Sequence, residues 1–221
     1  MSILFTSNIL ICINTCDRDA ASLRKLKQSD WYKDCCLKPN IRFVDYFSGS
    51  LDGDCDFEIN LNDNILTVNS IEGYGNLSEK TFKMLKACET SIAFDFLIKI
   101  DSKIIENMHN KTSDLFSFDN FTKCFYNETI FSDYGGFTPI NGTTITSFRN
   151  WASSKKLFVL PEIFLSNHNL DSFPSHYWAG GAYCLSSENV KKIIKKSKLF
   201  EDCKNLIGGC EDLCVGIACN E

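Results

Sequence analysis

Three short clusters in this 221-residue sequence hold side chains able to do chemistry: Asp101-Ser102-Lys103, Glu211-Asp212, and Trp178 with the pair Gly180-Gly181. A carboxylate can take a proton from a hydroxyl or hold a cation, and an ammonium can neutralise an anion. Spacing alone gives simpler readings. Glu211 and Asp212 open an apolar stretch, where two acids favour a helix N-terminus through its dipole by up to about 1 kcal/mol. Glycines inside a strand ordinarily mark a bulge or a close backbone approach. The twelve cysteines and three histidines form no Cys-x-x-Cys pair, and Cys210, Cys214 and Cys219 are poorly spaced for zinc. Cys12, Cys88 and Cys184 sit in apolar runs and read as buried, reduced thiols, which disfavours a thiol-redox or metal-storage protein.

The elements that must position these clusters follow from periodicity. The run Asn8 to Asn14 reads as a buried strand, Asp17 to Lys27 as a helix, and Ile41–Val44 and Ile65–Val68 as two further strands. A helix is expected from Asn76 or Ser78 to Ser91, with Thr81, Leu85, Cys88 and Ile92 on one face and Lys80, Lys83 and Glu89 at its surface. Phe94–Ile100 alternates like a strand and delivers Asp101 to its carboxyl end, the edge where open α/β sheets bind ligands. Residues 105–170 have weak periodicity and predict short strands and loops only. Tyr177–Ser186 reads as a strand punctuated by glycine. It is followed by a helix turning Val190, Ile193, Ile194 and Ser197 inward, then by a last short helix opened by Glu211-Asp212.

Composition narrows the class. At 44% hydrophobic and 23% charged the chain can bury a sheet, and a net charge of −5 excludes the phosphate neutralisation that nucleic acid requires. No tract resembles a linker or repeat, so one domain over residues 1–221 is expected. The run Ile9–Ile13 is too short for a membrane span and has no basic segment before it, which favours a cytoplasmic protein. If the chain is a piece of a longer one, the Golgi lumen is the alternative. Only there would the five Asn-x-Ser/Thr triplets at Asn76, Asn110, Asn120, Asn127 and Asn141 matter.

Four segments in order resemble the β1,3-galactosyltransferase family and its fringe-type relatives: Glu72–Thr81, Phe96–Asp101, Tyr177–Ser186 and Glu211–Gly216. They are similar, respectively, to its Tyr-x-Asn-Leu-Thr-x-Lys-Thr segment, its Asp-Asp-Asp strand, its Gly-Gly-x-Tyr-x-Leu-Ser strand and its Glu-Asp-Val-x-x-Gly motif. The resemblance implies a GT-A-type α/β fold, a central mixed, mostly parallel sheet flanked by helices. It also implies a nucleotide-sugar-binding half over residues 1–103 and an acceptor-binding half over 104–221. The implied reaction is inverting transfer of a hexose from a UDP-sugar donor to a hydroxyl of a glycan or glycoprotein acceptor, with galactose favoured over N-acetylglucosamine or glucose. By the same resemblance Asp212 is the base with Glu211 as fallback. Lys80, Asp101, Ser102 and Lys103 face the donor, and Trp178, Gly180 and Gly181 border the acceptor.

The family holds manganese through carboxylates at this strand end, and here Asp101 is followed by Ser102 and Lys103. An ammonium repels a divalent cation. Asp101 is thus the one metal ligand the motif leaves, and Lys103 argues against Mn2+. Two outcomes stay open: Lys103 takes over the cation's charge and catalysis is metal-independent, or the protein is an inactive module that binds a nucleotide sugar or glycan.

Overall fold

An unbroken apolar run is stable as a strand only where both faces of the sheet are covered, and Ile9–Asn14 forms such a strand, β1, with Leu10, Cys12 and Ile13 fully buried. The computed structural model describes residues 7–104, 126–127, 130–131, 134–136, 139–178 and 181–220. Gly180, Asn110 and Asn120 lie outside these. A short 3-10 turn at Asp17–Asp19 leads from β1 into α1 (Ala20–Gln28) and α2 (Asp30–Cys36), the latter capped by the Ser29 hydroxyl. Then come β2 (Ile41–Gly49), β3 (Phe57–Asn60), β4 (Ile65–Asn69), α3 (Leu77–Ser91) and β5 (Phe96–Asp101). Two short strands, β6 (Tyr126–Asn127) and β7 (Ile130–Phe131), pair with each other, before β8 (Tyr134–Gly136) and β9 (Pro139–Asn141).

Residues 139–170 depart from the expectation of strands and loops only, because they carry two helices, α4 (Ile145–Ser154) and α5 (Pro161–Asn167). Their start signals are local. Thr144 and Ser147 cap each other's backbone N–H groups reciprocally, and Pro161 occupies the first turn of α5, where no N–H is needed. The expected strand over 177–186 is two strands, β10 (His176–Trp178) and β11 (Ala182–Ser186), the second preceded by Gly181 in a turn. The helix after it also divides, into α6 (Ser187–Ile194) and α7 (Ser197–Leu206). Ser197 therefore begins a new helix and is exposed instead of turned inward. The last helix, α8 (Glu211–Asn220), opens on the acidic pair as expected.

The central sheet has the order β3-β4-β2-β1-β5-β11-β8. β4, β2, β1 and β5 are parallel, β3 and β11 run against them, and β8, antiparallel to β11, returns to the common direction. Mixed and mostly parallel, with helices on both faces, this is a GT-A-type glycosyltransferase fold. One face packs Ile11, Ile13, Phe43 and Ile98 against Leu26 and Trp31 of α1 and α2. The other packs Cys12, Val44, Tyr46 and Leu97 against α3, α6, α7 and α8. Strands from both sides of residue 103 share the sheet, since β11 and β8 continue it beyond β5.

Two glycines set where α8 begins and what lies on it. Gly209 has a φ of +73° and its missing Cβ would sit 2.6 Å from the backbone of Tyr74 and Gly75. Only glycine satisfies both conditions. A Cβ on Gly216 would come within 2.5 Å of Tyr177 Cβ, so glycine there lets β10 lie directly on the helix. Among the described residues no helix is long and apolar enough to cross a membrane.

Candidate active site

The parallel register of β1 and β5 places Asn14 opposite Asp101 at their carboxyl ends. Asn14 Nδ2 donates to Asp101 Oδ1 at 3.1 Å, the Ser102 N–H donates to the Asn14 carbonyl, and the Asp101 N–H donates to the Gly181 carbonyl. Asp101 is thus held by the end of β1 and by the residue just before β11, at the carboxyl edge where open α/β sheets bind ligands. Gly181, from the segment expected to border the acceptor, lies directly against it.

Lys99 is the residue the sequence reading missed. Two positions before Asp101, it projects from the same face of β5, is 1% exposed, and lies beneath α8. Its ammonium meets Asp101 Oδ1 at 2.8 Å and Glu211 Oε1 at 3.1 Å, and lies 5.6 Å from the centre of the Tyr183 ring on β11. Lys99 therefore joins the strand-end carboxylate to the acidic pair 110 residues later in the chain. Burial works against its charge, but Asp101 and Glu211 outweigh that and hold its pKa well above the ordinary lysine range.

Glu211 is buried, and burial pushes its carboxyl from 4.5 up to about 7; Lys99 opposes the rise while Asp212 and Asp101 add to it. The folded protein therefore keeps a proton between these values that the unfolded chain has released. The stability so gained is fully present below 4.5 and is lost as pH rises through 7. Relative to Glu211→Gln, the wild type should lose about 2 to 3 kcal/mol between pH 5 and pH 8. Urea unfolding of both proteins at the two pH values checks this. An unchanged difference would mean that Glu211 does not titrate in this window.

Asp212 faces the other way. It lines a cavity of about 230 Å³ with Phe148 and Trp151 of α4, Thr143, and Tyr177 of β10. Asp212 Oδ1 accepts from its neighbour's N–H, Leu213, at 2.9 Å, and from Cys210 Sγ at 3.0 Å. One carboxylate among aromatic rings and hydroxyls suits an acceptor that is apolar on one face and carries a reactive hydroxyl on the other. The β10–β9 register pairs Tyr177 with Ile140, and both side chains face this space. Trp178, one residue on, belongs to the opposite side of β10. There it packs over Gly136, while its backbone N–H donates to Tyr134 Oη. The rings that line this cavity are Phe148, Trp151 and Tyr177, and strand parity turns Trp178 away from it.

The other basic residues separate by exposure. Lys80, expected at the helix surface, is 1% exposed, because its ammonium donates to Glu72 Oε2 and the Thr15 carbonyl, each at 2.8 Å. It ties α3 to the end of β1 and is already partnered. Lys103 is exposed on the turn after β5, where it pairs with Asp19 of the 3-10 turn. That pair raises the lysine's pKa and keeps it charged.

A divalent cation does not fit the residues at this edge. Asp101 Oδ1 already accepts from an ammonium and an amide, the Ser102 hydroxyl is buried and turned inward, and Lys103 adds positive charge. Among the described residues no group of three His, Cys, Asp or Glu could hold a metal ion.

A GT-A-type sheet with one acid at a strand end, and an acidic pair opening the last helix with Asp212 in an aromatic cavity, is the arrangement expected of a glycosyltransferase. Residues 48–221 match the family described as Galactosyltransferase, and the chain belongs to that family. It is a glycosyltransferase of galactosyltransferase type, acting between a sugar donor and a glycan acceptor. Among curated proteins, none is similar enough to the chain to count as a match.

Proposed function

We propose that the protein is an inverting, metal-independent hexosyltransferase that moves galactose from UDP-galactose to a glycan hydroxyl in β1,3 linkage. Residues 1–103 serve as the donor half and residues 104–221 as the acceptor half. The observation that carries this reading is the continuous contact Asp101–Lys99–Glu211, with Asp212 next in the chain and open to the aromatic cavity. Asp212 takes the proton of the acceptor hydroxyl as that oxygen attacks the anomeric carbon from the side opposite the departing diphosphate. Glu211 and Lys99 hold the helix start that carries Asp212 against the end of β5.

The departing diphosphate needs positive charge. Lys80 and Lys99 are enclosed and committed to carboxylates, whereas Lys103 is exposed and its partner Asp19 is a surface pair of small net worth, about 1 kcal/mol or less. Exchange of Asp19 for a phosphate oxygen is therefore cheap, and Lys103 supplies the charge. UDP release from UDP-galactose, UDP-N-acetylglucosamine and UDP-glucose, with manganese or with EDTA, tests the reading. Turnover should survive EDTA, and Lys103→Ala should lower it about 10- to 100-fold. Strict dependence on manganese would overturn the metal-free mechanism. No UDP release from any donor would favour a module that binds its sugar without transferring it.

A further inference from the structure

The loop between α7 and α8 brings a thiol to the carboxylate proposed as base. Cys210 lies at the end of that loop, 7% exposed, and lines the same cavity as Asp212. Its Sγ is 3.0 Å from Asp212 Oδ1, the oxygen that also accepts the Leu213 N–H. The Cys210 carbonyl is itself held, accepting from Cys203 Sγ at 3.3 Å. We propose that Cys210 is a positioning residue for the transfer reaction: its S–H donates to Asp212 Oδ1, fixing the rotation of the carboxylate towards the cavity.

A thiol can do this only while it keeps its proton. Burial, followed by the charge of Asp212, pushes the Cys210 pKa well above the ordinary thiol range, so the group is a donor throughout the working pH range. A donor on one oxygen favours the ionised form of an acid. Tyr134 of β8 and Tyr177 of β10 both have phenol pKa values raised by burial, with Asp212 adding to the rise, and Tyr177 Oη is engaged with the Thr143 hydroxyl. Glu211 and Cys214 of α8 bring a carboxyl drawn to Lys99 and a buried thiol. Cys210 is the cavity-lining thiol seen to touch the Asp212 carboxylate.

This inference rests on Asp212 being the base, and the experiment separates the two claims. The carboxyl titration of Asp212, followed by carbon NMR in the intact protein, and the pH profile of kcat are measured for wild type, Cys210→Ala and Cys210→Ser. Loss of the donor in Cys210→Ala should raise the Asp212 midpoint by about one unit. The acid limb of the kcat profile should move up by the same amount, so that kcat at a pH below both midpoints falls about 10-fold with KM little changed. Cys210→Ser restores a donor of similar size and should return both towards wild type. Cys210→Val, which lacks a donor but fills the space, takes the place of the alanine variant if that one folds poorly. A midpoint that stays put in both variants overturns the positioning role even if Asp212 is the base. A midpoint that moves while Asp212→Asn keeps full turnover shows that the hydrogen bond is real but that the base lies elsewhere, which overturns the role in catalysis.

Discussion

Asp212→Asn is expected to lower turnover by about 10²- to 10⁴-fold while leaving the thermal midpoint within a few degrees of wild type. The amide has the shape of the carboxylate, and its oxygen can still accept the Leu213 N–H and the Cys210 thiol that now meet Oδ1. What it lacks is affinity for a proton. An acceptor hydroxyl in the aromatic cavity would then have to attack the anomeric carbon while still protonated, and a positioned base contributes two to four orders of magnitude to such a step. Binding should change little, because Tyr177, Trp151 and Phe148 supply most of the apolar wall. The measurement is UDP release at saturating donor and acceptor, with KM for each. Glu211→Gln is the control, since Glu211 is enclosed and bound to Lys99 and should cost far less turnover. If the two variants lose turnover equally, the base is not Asp212 alone. If only Glu211→Gln loses it, the assignment moves one residue.

Much of this architecture was readable from the order of apolar runs. β1 and β5 are buried on both faces, so their runs are nearly continuous. The buried face of α3 repeats at helical spacing through Thr81, Leu85 and Cys88. β3 was not readable because its residues are half-buried or exposed, an edge strand with little apolar signal. α4 and α5 were hidden by a polar and aromatic composition, although Thr144-x-x-Ser147 and Pro161 marked where they start. The site divided in the same way. Asp101, Glu211 and Asp212 are acids at element ends, and the resemblance of the segments around them, more than their spacing, singled them out. Lys80 and Lys99 are lysines within elements, and nothing local separates a solvated lysine from an enclosed one. Their burial depends on partners that the fold brings to them: Thr15 lies 65 residues from Lys80, and Glu211 lies 112 residues from Lys99.

Lys99→Met should destabilise the protein by about 3 to 5 kcal/mol at pH 8, the usual cost of removing one partner from a buried ion pair. Methionine matches the lysine stem in length and suits the surroundings of Cys12 and Tyr183, its neighbours on β1 and β11. Packing therefore changes little, and the cost is electrostatic. The Asp101 side chain is 37% exposed and keeps Asn14, so water can share its charge; the Glu211 side chain is 6% exposed and loses its cation. Its carboxyl, already at about 7 with Lys99 opposing the rise, would move higher still and take up a proton. The penalty should then be smaller at pH 5, where Glu211 is protonated in the folded protein whether or not Lys99 is present. Adding Glu211→Gln to Lys99→Met removes the unpaired charge and should recover most of the loss at pH 8, because a buried pair replaced as a whole costs far less than one broken in half. Urea unfolding of the two single variants and the double variant at both pH values measures the coupling. A loss under about 1 kcal/mol for Lys99→Met at pH 8 would mean that Lys99 does not hold Glu211 against β5, and the link from the strand end to the acidic pair would have to be drawn through other residues.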